Sequence, residues 1–454
     1  MCKAPGGGTA RGKVSELNQS NRDLSTGDVG LGPGPLTLAA ATEFLRRTAF
    51  ADGPIGRVGI ELEWLVVPVA GSGPVAPGAD APDGLATDLP PLPGGSRLTV
   101  EPGGQLELSS LPCRDAAAAC AATASDLAVL HGAVAERGLA LLGMGMHPDG
   151  PRPMVRPTAR YRAMDAYFTA AGPAGRVMMT ATASIQVNLD AGPAADHDGR
   201  WAAAHRLAPV LAASFANSPA ADGRPAGHRS ARLATWGAID HSRTAPAWKP
   251  GQGCDSWVRY VLDAWVMFVR TAPDRFVPLL RPLTFAGWIA GGHPGFPERR
   301  PTVGDLEYHL TTLFPPVRPR GWLELRFLDA LPPAWWPVAV AVTTALLDDE
   351  EARTEASAAA APVAGAWAEA AGRGLGHRPL ADAARWCFAV ALRAVAGCDN
   401  RRLEDAVAAY VDRFVARGRC PADDRLDRWH ATGSWLLAED DLDRRPSPAA
   451  TPFA

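Results

Sequence analysis

Arg97-Leu98-Thr99-Val100-Glu101-Pro102-Gly103-Gly104-Gln105-Leu106-Glu107-Leu108-Ser109-Ser110 reads as a strand, a Gly-Gly turn and a second strand. In the second half Gln105, Glu107 and Ser109 alternate with Leu106 and Leu108. A strand has a side-chain period of two, so the polar residues share one face and the leucines the other. An ordinary solvated face would mix lysine, threonine and arginine with acids. This face offers amide, carboxylate and hydroxyl oxygens and no lysine. The pattern recurs three times. Glu61 and Glu63 alternate with Ile60, Leu62 and Trp64; Ser184, Gln186 and Asn188 alternate with Ile185, Val187 and Leu189; Glu324 and Arg326 alternate with Leu323, Leu325 and Phe327. The four segments are expected to form one antiparallel sheet, with one face packed on helices and the other lining a cavity.

Four carboxylates, Glu61, Glu63, Glu107 and Glu324, converging on one cavity repel one another unless a cation neutralises them. Hard oxygen donors without cysteine or a His-x-x-x-His pair select Mg²⁺ or Mn²⁺ over zinc. Arg229, Arg232, Arg243 and Arg326 are candidate clamps for phosphate or carboxylate, because a guanidinium fork matches planar oxyanions. No Gly-Lys-Ser/Thr phosphate loop, Rossmann glycine fingerprint or Gly-x-Ser-x-Gly elbow occurs, so spacing alone identifies no nucleotide and no serine nucleophile. His147, between Met146 and Pro148, reads as structural, and Trp236 as a packing residue.

The chain has 454 residues, 47% of them hydrophobic and 20% charged, with a net charge of -3. That composition supports a large core and gives no basic footprint for nucleic acid or an anionic membrane. Seven cysteines without a Cys-x-x-Cys pair suit a reducing cytoplasm, not a disulfide framework. No leader-like h-region and no apolar run long enough to span a bilayer stand out. Residues 1–35 and 441–454 read as disordered tails, and residues 70–95 as a Pro- and Gly-rich surface loop. Helices are expected over 37–48, 115–137, 161–168, 200–217, 254–269 and 303–313, and near 334–348, 353–372, 379–396 and 402–417. Residues 219–253 look irregular. Because the sheet segments interleave with helices, 36–440 is read as one catalytic domain, α+β in class, with a helical C-terminal part.

Gly59-Ile60-Glu61-Leu62-Glu63, the Glu101-Pro102-Gly103-Gly104-Gln105-Leu106-Glu107-Leu108-Ser109 run, Ser184-Ile185-Gln186-Val187-Asn188 and Leu323-Glu324-Leu325-Arg326 resemble the glutamate–cysteine ligases of the plant and bacterial type. The likeness is strongest to the actinobacterial branch that serves ergothioneine biosynthesis, and it covers about residues 55–330. It implies a glutamine-synthetase-like antiparallel sheet with a concave active face, ATP with Mg²⁺, and ligation of L-glutamate to L-cysteine to give γ-glutamylcysteine. By position, Glu61, Glu63, Glu107 and Glu324 match metal-binding acids. Gln186 and Asn188 match the polar strand near nucleotide and metals, with Gln105 and Ser109 beside them. Arg326 matches an arginine close to the transferred phosphoryl, and Arg232 and Arg243 match arginines that hold glutamate or phosphate. The sequence departs from the family pattern at His228 and at His241 after Asp240. Other readings of the acidic face are a ligase for another amine, a metal-dependent hydrolase and a silent binding module.

Overall fold

Seven strands form the sheet: β1 (Val58–Pro68), β2 (Arg97–Val100), β3 (Leu106–Ser109), β4 (Leu139–Leu142), β5 (Ser184–Asp190), β6 (Val317–Pro319) and β7 (Trp322–Asp329). Their order is β6-β7-β5-β1-β3-β2, with β4 on the far half of β1, and every pairing is antiparallel. The computed structural model describes residues 34–69, 84–85, 88–293, 295, 297–397, 400–437 and 440. The expected tails, apart from 34–35, and the larger part of the 70–95 loop lie outside the described residues.

Ile60, Leu62, Trp64, Leu106, Leu108, Ile185, Val187, Leu189, Leu323 and Leu325 are all buried. They face the helices Ala116–Ala135, His197–Ser214 and Trp336–Asp348. Each such side chain stabilises by about 1.5–3 kcal/mol, so a one-residue slip would cost far more than any polar contact could return. The apolar face therefore sets the register, and the register places the polar face.

Two departures in the strands matter. Between β7 and β5 the pairing runs Leu325↔Val187 and then Leu328↔Ile185, a bulge of one extra residue. Arg326 and Phe327 together oppose Gln186, and Asp329 opposite Ser184 is returned to the polar side. The strict alternation expected for Phe327 fails for this reason: Phe327 lines the cavity beside Arg326. The turn between β2 and β3 has Gly104 at φ +89°, a conformation that glycine adopts without strain. A Cβ on Gly103 would lie 2.2 Å from the Thr180 carbonyl oxygen. Gly103→Ala is expected to lower stability by at least about 1–3 kcal/mol, measured by urea unfolding.

Asp115 caps Ala116–Ala135 by accepting from the Ala118 amide, and Thr37 caps Leu38–Ala49 likewise. Ala116–Ala135 corrects one expectation, since it is long and apolar enough to cross a membrane by length and composition. Its buried side, Cys120, Leu127, Leu130 and Val134, packs on the sheet and on Trp336–Asp348, the behaviour of a core helix. Residues 219–253 are not irregular throughout: Ala231–Gly237 and His241–Thr244 are short helices, begun by the caps Ser230 and Asp240. The helix expected over 254–269 is Asp255–Asp263, and Phe268–Ala272 leaves it for a small hairpin with Arg275–Pro278. The Val- and Phe-rich run after Asp263 has the β preference that ends it. Pro421–Thr432 is a helix beyond those expected. Its fully buried Arg425 pairs with Asp440 at 2.7 Å and donates to the carbonyls of Gly143 and Trp435 and to the Asn217 side chain.

His147, His205 and His309 are buried, and burial holds their pKa down at about 4, 4 and 3. The His205 ring donates through Nδ1 to the Trp201 carbonyl and accepts the Trp248 amide on Nε2, which fixes a neutral ring. A depressed folded pKa contributes stability above the unfolded value near 6.5 that is lost as pH falls towards the folded one. At pH 4 each ring charges more readily unfolded than folded, by about 3 kcal/mol for His205. Thermal midpoints are expected to fall steeply from pH 6.5 to pH 4, and His205→Gln to flatten that slope.

Candidate active site

The register sets the acids in rows. Glu61 stands opposite Ser109 on β3 and Gln186 on β5; Glu63 stands opposite Glu107, which in turn opposes Thr99 on β2. Asn188 opposes Gly59 on one side and Glu324 on the other. Residues directly opposite in a sheet project to the same side, so these side chains share one face. Glu61, Glu63, Glu101 and Glu107 keep some accessible surface although protein surrounds them, the condition of groups on the floor of a cleft.

Glu101 is the residue that sequence reasoning missed. It lies two positions past Thr99, so continuing the period of two through the turn would have placed it on the acidic face. Burial raises its pKa well above the carboxylate range, and the charges of Glu107, Glu63 and Glu61 raise it further. Burial likewise raises Glu61 to about 8, with Glu107 and Glu324 adding to the shift. Glu63 and Glu107 are raised chiefly by burial. Four carboxylates that resist ionising together are an unsatisfied demand for positive charge.

The amides and hydroxyls support this cluster. Gln186 donates to Glu63 at 3.2 Å and accepts from Arg326; Asn188 donates to Glu61 at 3.3 Å and accepts from the Trp322 indole at 2.9 Å. Ser109 and Thr99 each donate to Glu107 at 3.0 Å, and the Ser184 amide donates to Glu63 at 2.8 Å. Gln105 does not join the face. Its amide donates to the Thr182 carbonyl at 2.9 Å and accepts from the Gly103 amide at 2.9 Å, which locks the turn between β2 and β3. It falls beyond the strand, which begins at Leu106, and so escapes the alternation.

Glu324 differs from the other acids. Arg318 donates to it at 3.0 Å, Arg326 lies 3.3 Å away and Arg320 3.6 Å away. Against the cost of burial, Arg318, Arg326 and Arg320 hold its carboxyl far below the usual range. With its oxygens engaged by guanidinium groups, Glu324 anchors Arg318 and Arg326 on the polar face. Arg243 is also committed elsewhere: wholly buried, it donates to Asp240, Tyr167 and the carbonyls of Thr312 and Trp265. Arg229 pairs with Asp423. His147 accepts the Asp149 amide, the structural part expected of it.

Beside the acidic face opens a cavity of about 430 Å³, whose wall includes Arg232, Arg326, Trp236, Phe314, Phe327 and Trp367. His228 and His241, the departures from the family pattern, line it too. The Arg326 and Arg232 side chains border both the cavity and the acids: Arg326 feels Glu324, Glu61 and Glu63, and Arg232 feels Asp329 and Glu63. Trp236 lies edge-on to Phe314 and under the Arg232 guanidinium, so it is cavity wall as well as packing. The donor set suits a hard divalent cation. Among the described residues no three His, Cys, Asp or Glu side chains already stand at metal-holding spacing, so the acids line a face without forming a closed cage.

The profile of glutamate–cysteine ligase family 2 (GCS2) matches residues 57–440. Glutamate–cysteine ligase EgtA of Mycolicibacterium smegmatis is 46% identical over 398 residues, which are 87% of this chain and 92% of that protein. EgtA of Mycobacterium tuberculosis is 44% identical over 404 residues, 87% of this chain and 91% of that one. The chloroplastic glutamate–cysteine ligase of Medicago truncatula is 36% identical over 256 residues, 54% of this chain and 50% of its own. A solved glutamate–cysteine ligase of Francisella tularensis in complex with AMP aligns with 89% of this chain and 92% of its own, at TM-score 0.47 and 16% identity.

Proposed function

The chain belongs to glutamate–cysteine ligase family 2, and from that premise we propose that it joins the γ-carboxylate of L-glutamate to the amine of L-cysteine, driven by ATP. The observation that carries the reading is the strand register, which sets Glu61, Glu63 and Glu107 in adjoining rows beside Gln186 and Arg326 and next to a cavity of amino-acid size.

A carboxylate is a poor acceptor for an amine. Attack of a γ-carboxylate oxygen on the γ-phosphorus of ATP breaks the bond to ADP and gives an acyl phosphate. The cysteine amine then attacks the acyl carbon, the C–O bond to phosphate breaks, and the amine proton leaves to solvent. Such transfers depend on positioning and charge neutralisation, and need no protein nucleophile. Arg326, tied to Gln186 and Glu324, takes up charge beside the transferred group. Arg232 holds a substrate carboxylate. The aromatic wall of Trp236, Phe314, Phe327 and Trp367 keeps water from the acyl phosphate and receives the uncharged part of the amine substrate. Mg²⁺, or Mn²⁺ in its place, would be held by Glu61, Glu63, Glu101 and Glu107 and would supply charge neutralisation at the phosphates. Asn188 and Ser109 keep two of those acids in position.

Likeness to the EgtA proteins supports a place in ergothioneine biosynthesis. We read residues 36–440 as the catalytic unit, acting on small molecules in the cytoplasm. The deciding assay is ADP release from Mg-ATP plus glutamate, with cysteine and a panel of other amines. Release that depends on both glutamate and cysteine is expected. Preference for another amine would transfer the reading to a sister ligase, and bond cleavage without ATP would replace it with a hydrolase.

A further inference from the structure

Asp329 closes β7 after the bulge and is buried, opposite Ser184. Nothing in the proposed chemistry calls for a carboxylate there. Its surroundings are built with care. Oδ2 accepts the Ser218 hydroxyl at 2.7 Å and the Asn217 amide at 2.8 Å, and Oδ1 accepts the Ser230 hydroxyl at 2.9 Å. Gly145 leaves the space it fills: a Cβ there would lie 2.5 Å from the Asp329 Cγ. The carboxylate is thus held by three donors from two other segments. The cation nearest Oδ1 is Arg232, with Nη1 at 3.7 Å, too far for a hydrogen bond.

Arg232 is buried in the wall of the cavity. Its Nη2 donates to the Arg326 carbonyl at 2.7 Å, and its guanidinium carbon stands 5.8 Å from the Trp236 ring centre. Its Nε and Nη1 have no hydrogen-bond partner. Both nitrogens are closed off from solvent, and buried polar groups are almost always paired, so this guanidinium in the cavity wall keeps donors in reserve for an anion that enters there. Asp329 offsets the charge of Arg232 through the 3.7 Å ion pair at Nη1 without making a hydrogen bond to either donor.

We infer that Asp329 is a positioning residue, which holds the Arg232 guanidinium in the cavity wall with Nε and Nη1 free for the carboxylate of the glutamate substrate. The inference rests on the ligase reading for the identity of that substrate. Ser230 serves both parts of the device, since its hydroxyl also accepts the Leu233 amide and so begins the helix that carries Arg232. The bulge is what brings Asp329 to this side of the sheet; without the extra residue Leu328 would stand in its place.

The test compares the full chain with Asp329→Asn, which keeps shape and removes charge. Expected is a rise in KM for glutamate of about tenfold or more, with KM for ATP and for cysteine and kcat changed less than about threefold. Calorimetric titration with glutamate is expected to show the same weakening. Equal shifts for all three substrates, or a lowered melting temperature with glutamate binding intact, would overturn the inference, since a merely structural aspartate gives those results. If Asp329→Asn does not fold, Ser230→Ala removes one tether of the carboxylate and is expected to raise KM for glutamate by about threefold; an unchanged KM overturns the proposal. Wild-type protein that binds glutamate but releases no ADP would defeat the ligase reading, while the calorimetric comparison still decides the role of Asp329.

Discussion

Glu107→Gln is expected to lower ADP release by about 10²- to 10³-fold, the scale of losing one electrostatic partner of a transition state, with no loss of thermal stability. The side chain accepts from Thr99 and Ser109, and an amide oxygen can go on accepting from both. What disappears is a negative charge that folding disfavours, because burial and Glu63 both raise the pKa of this group. The melting temperature should therefore stay or rise slightly, while the stabilisation that added Mg²⁺ confers should shrink. Differential scanning calorimetry with and without Mg²⁺, beside the ADP assay, checks both halves. Turnover near wild type would remove Glu107 from the charge-neutralising set.

Glu324→Gln is expected to do the reverse and damage the fold first. Its carboxylate answers Arg318, Arg326 and Arg320. The pKa of Arg318 is lowered to about 10, burial outweighing the support of Glu324. Removing the anion they share leaves three guanidinium groups around an uncharged amide, and breaking a buried pair in this way costs about 3–5 kcal/mol. Urea unfolding should show that loss, and the protein that remains folded should bind ATP poorly because Arg326 is no longer held. Identical chemical changes at two acids on one sheet face thus separate by their neighbours: one sits among like charges and the other among opposite ones. A stable Glu324→Gln protein with wild-type unfolding would refute the anchor assignment.

The sheet was legible because its physics is local. Period-two alternation over five to eight residues tells which side chains share a face, and lysine-free polar faces rich in carboxylates and amides in four segments are enough to bring those segments together. Glu101 escapes the pattern because the turn interrupts the period, and for the same reason the alternation does not tell that the Gln105 amide turns to Gly103 and Thr182. Phe327 and Asp329 could not be placed from pattern at all, since a bulge is a property of the pairing and not of either strand. The arginines show a different limit. Arg232 and Arg243 are alike in sequence context, yet one retains unspent donors beside a cavity and the other spends its donors on Asp240, Tyr167, Thr312 and Trp265. Apart from Asp240, the partners of Arg243 lie tens of positions away in the chain. The small helices in 219–253 follow from single caps, Ser230 and Asp240, in a stretch whose glycines and prolines obscured them.

The pin formed by Arg425 bears on how the protein is made. That one guanidinium reaches back to Gly143 and Asn217, and forward to Asp440. The central strand β5 meanwhile pairs with partners well over a hundred residues away on either side. Contacts of such long sequence separation form slowly, after loop closure has been completed. During synthesis the first glutamates of the cleft emerge on the ribosome long before β7 exists, and the lock on the sheet comes later still. Until then the nascent chain exposes unpaired strand edges, the condition that invites aggregation and chaperone capture.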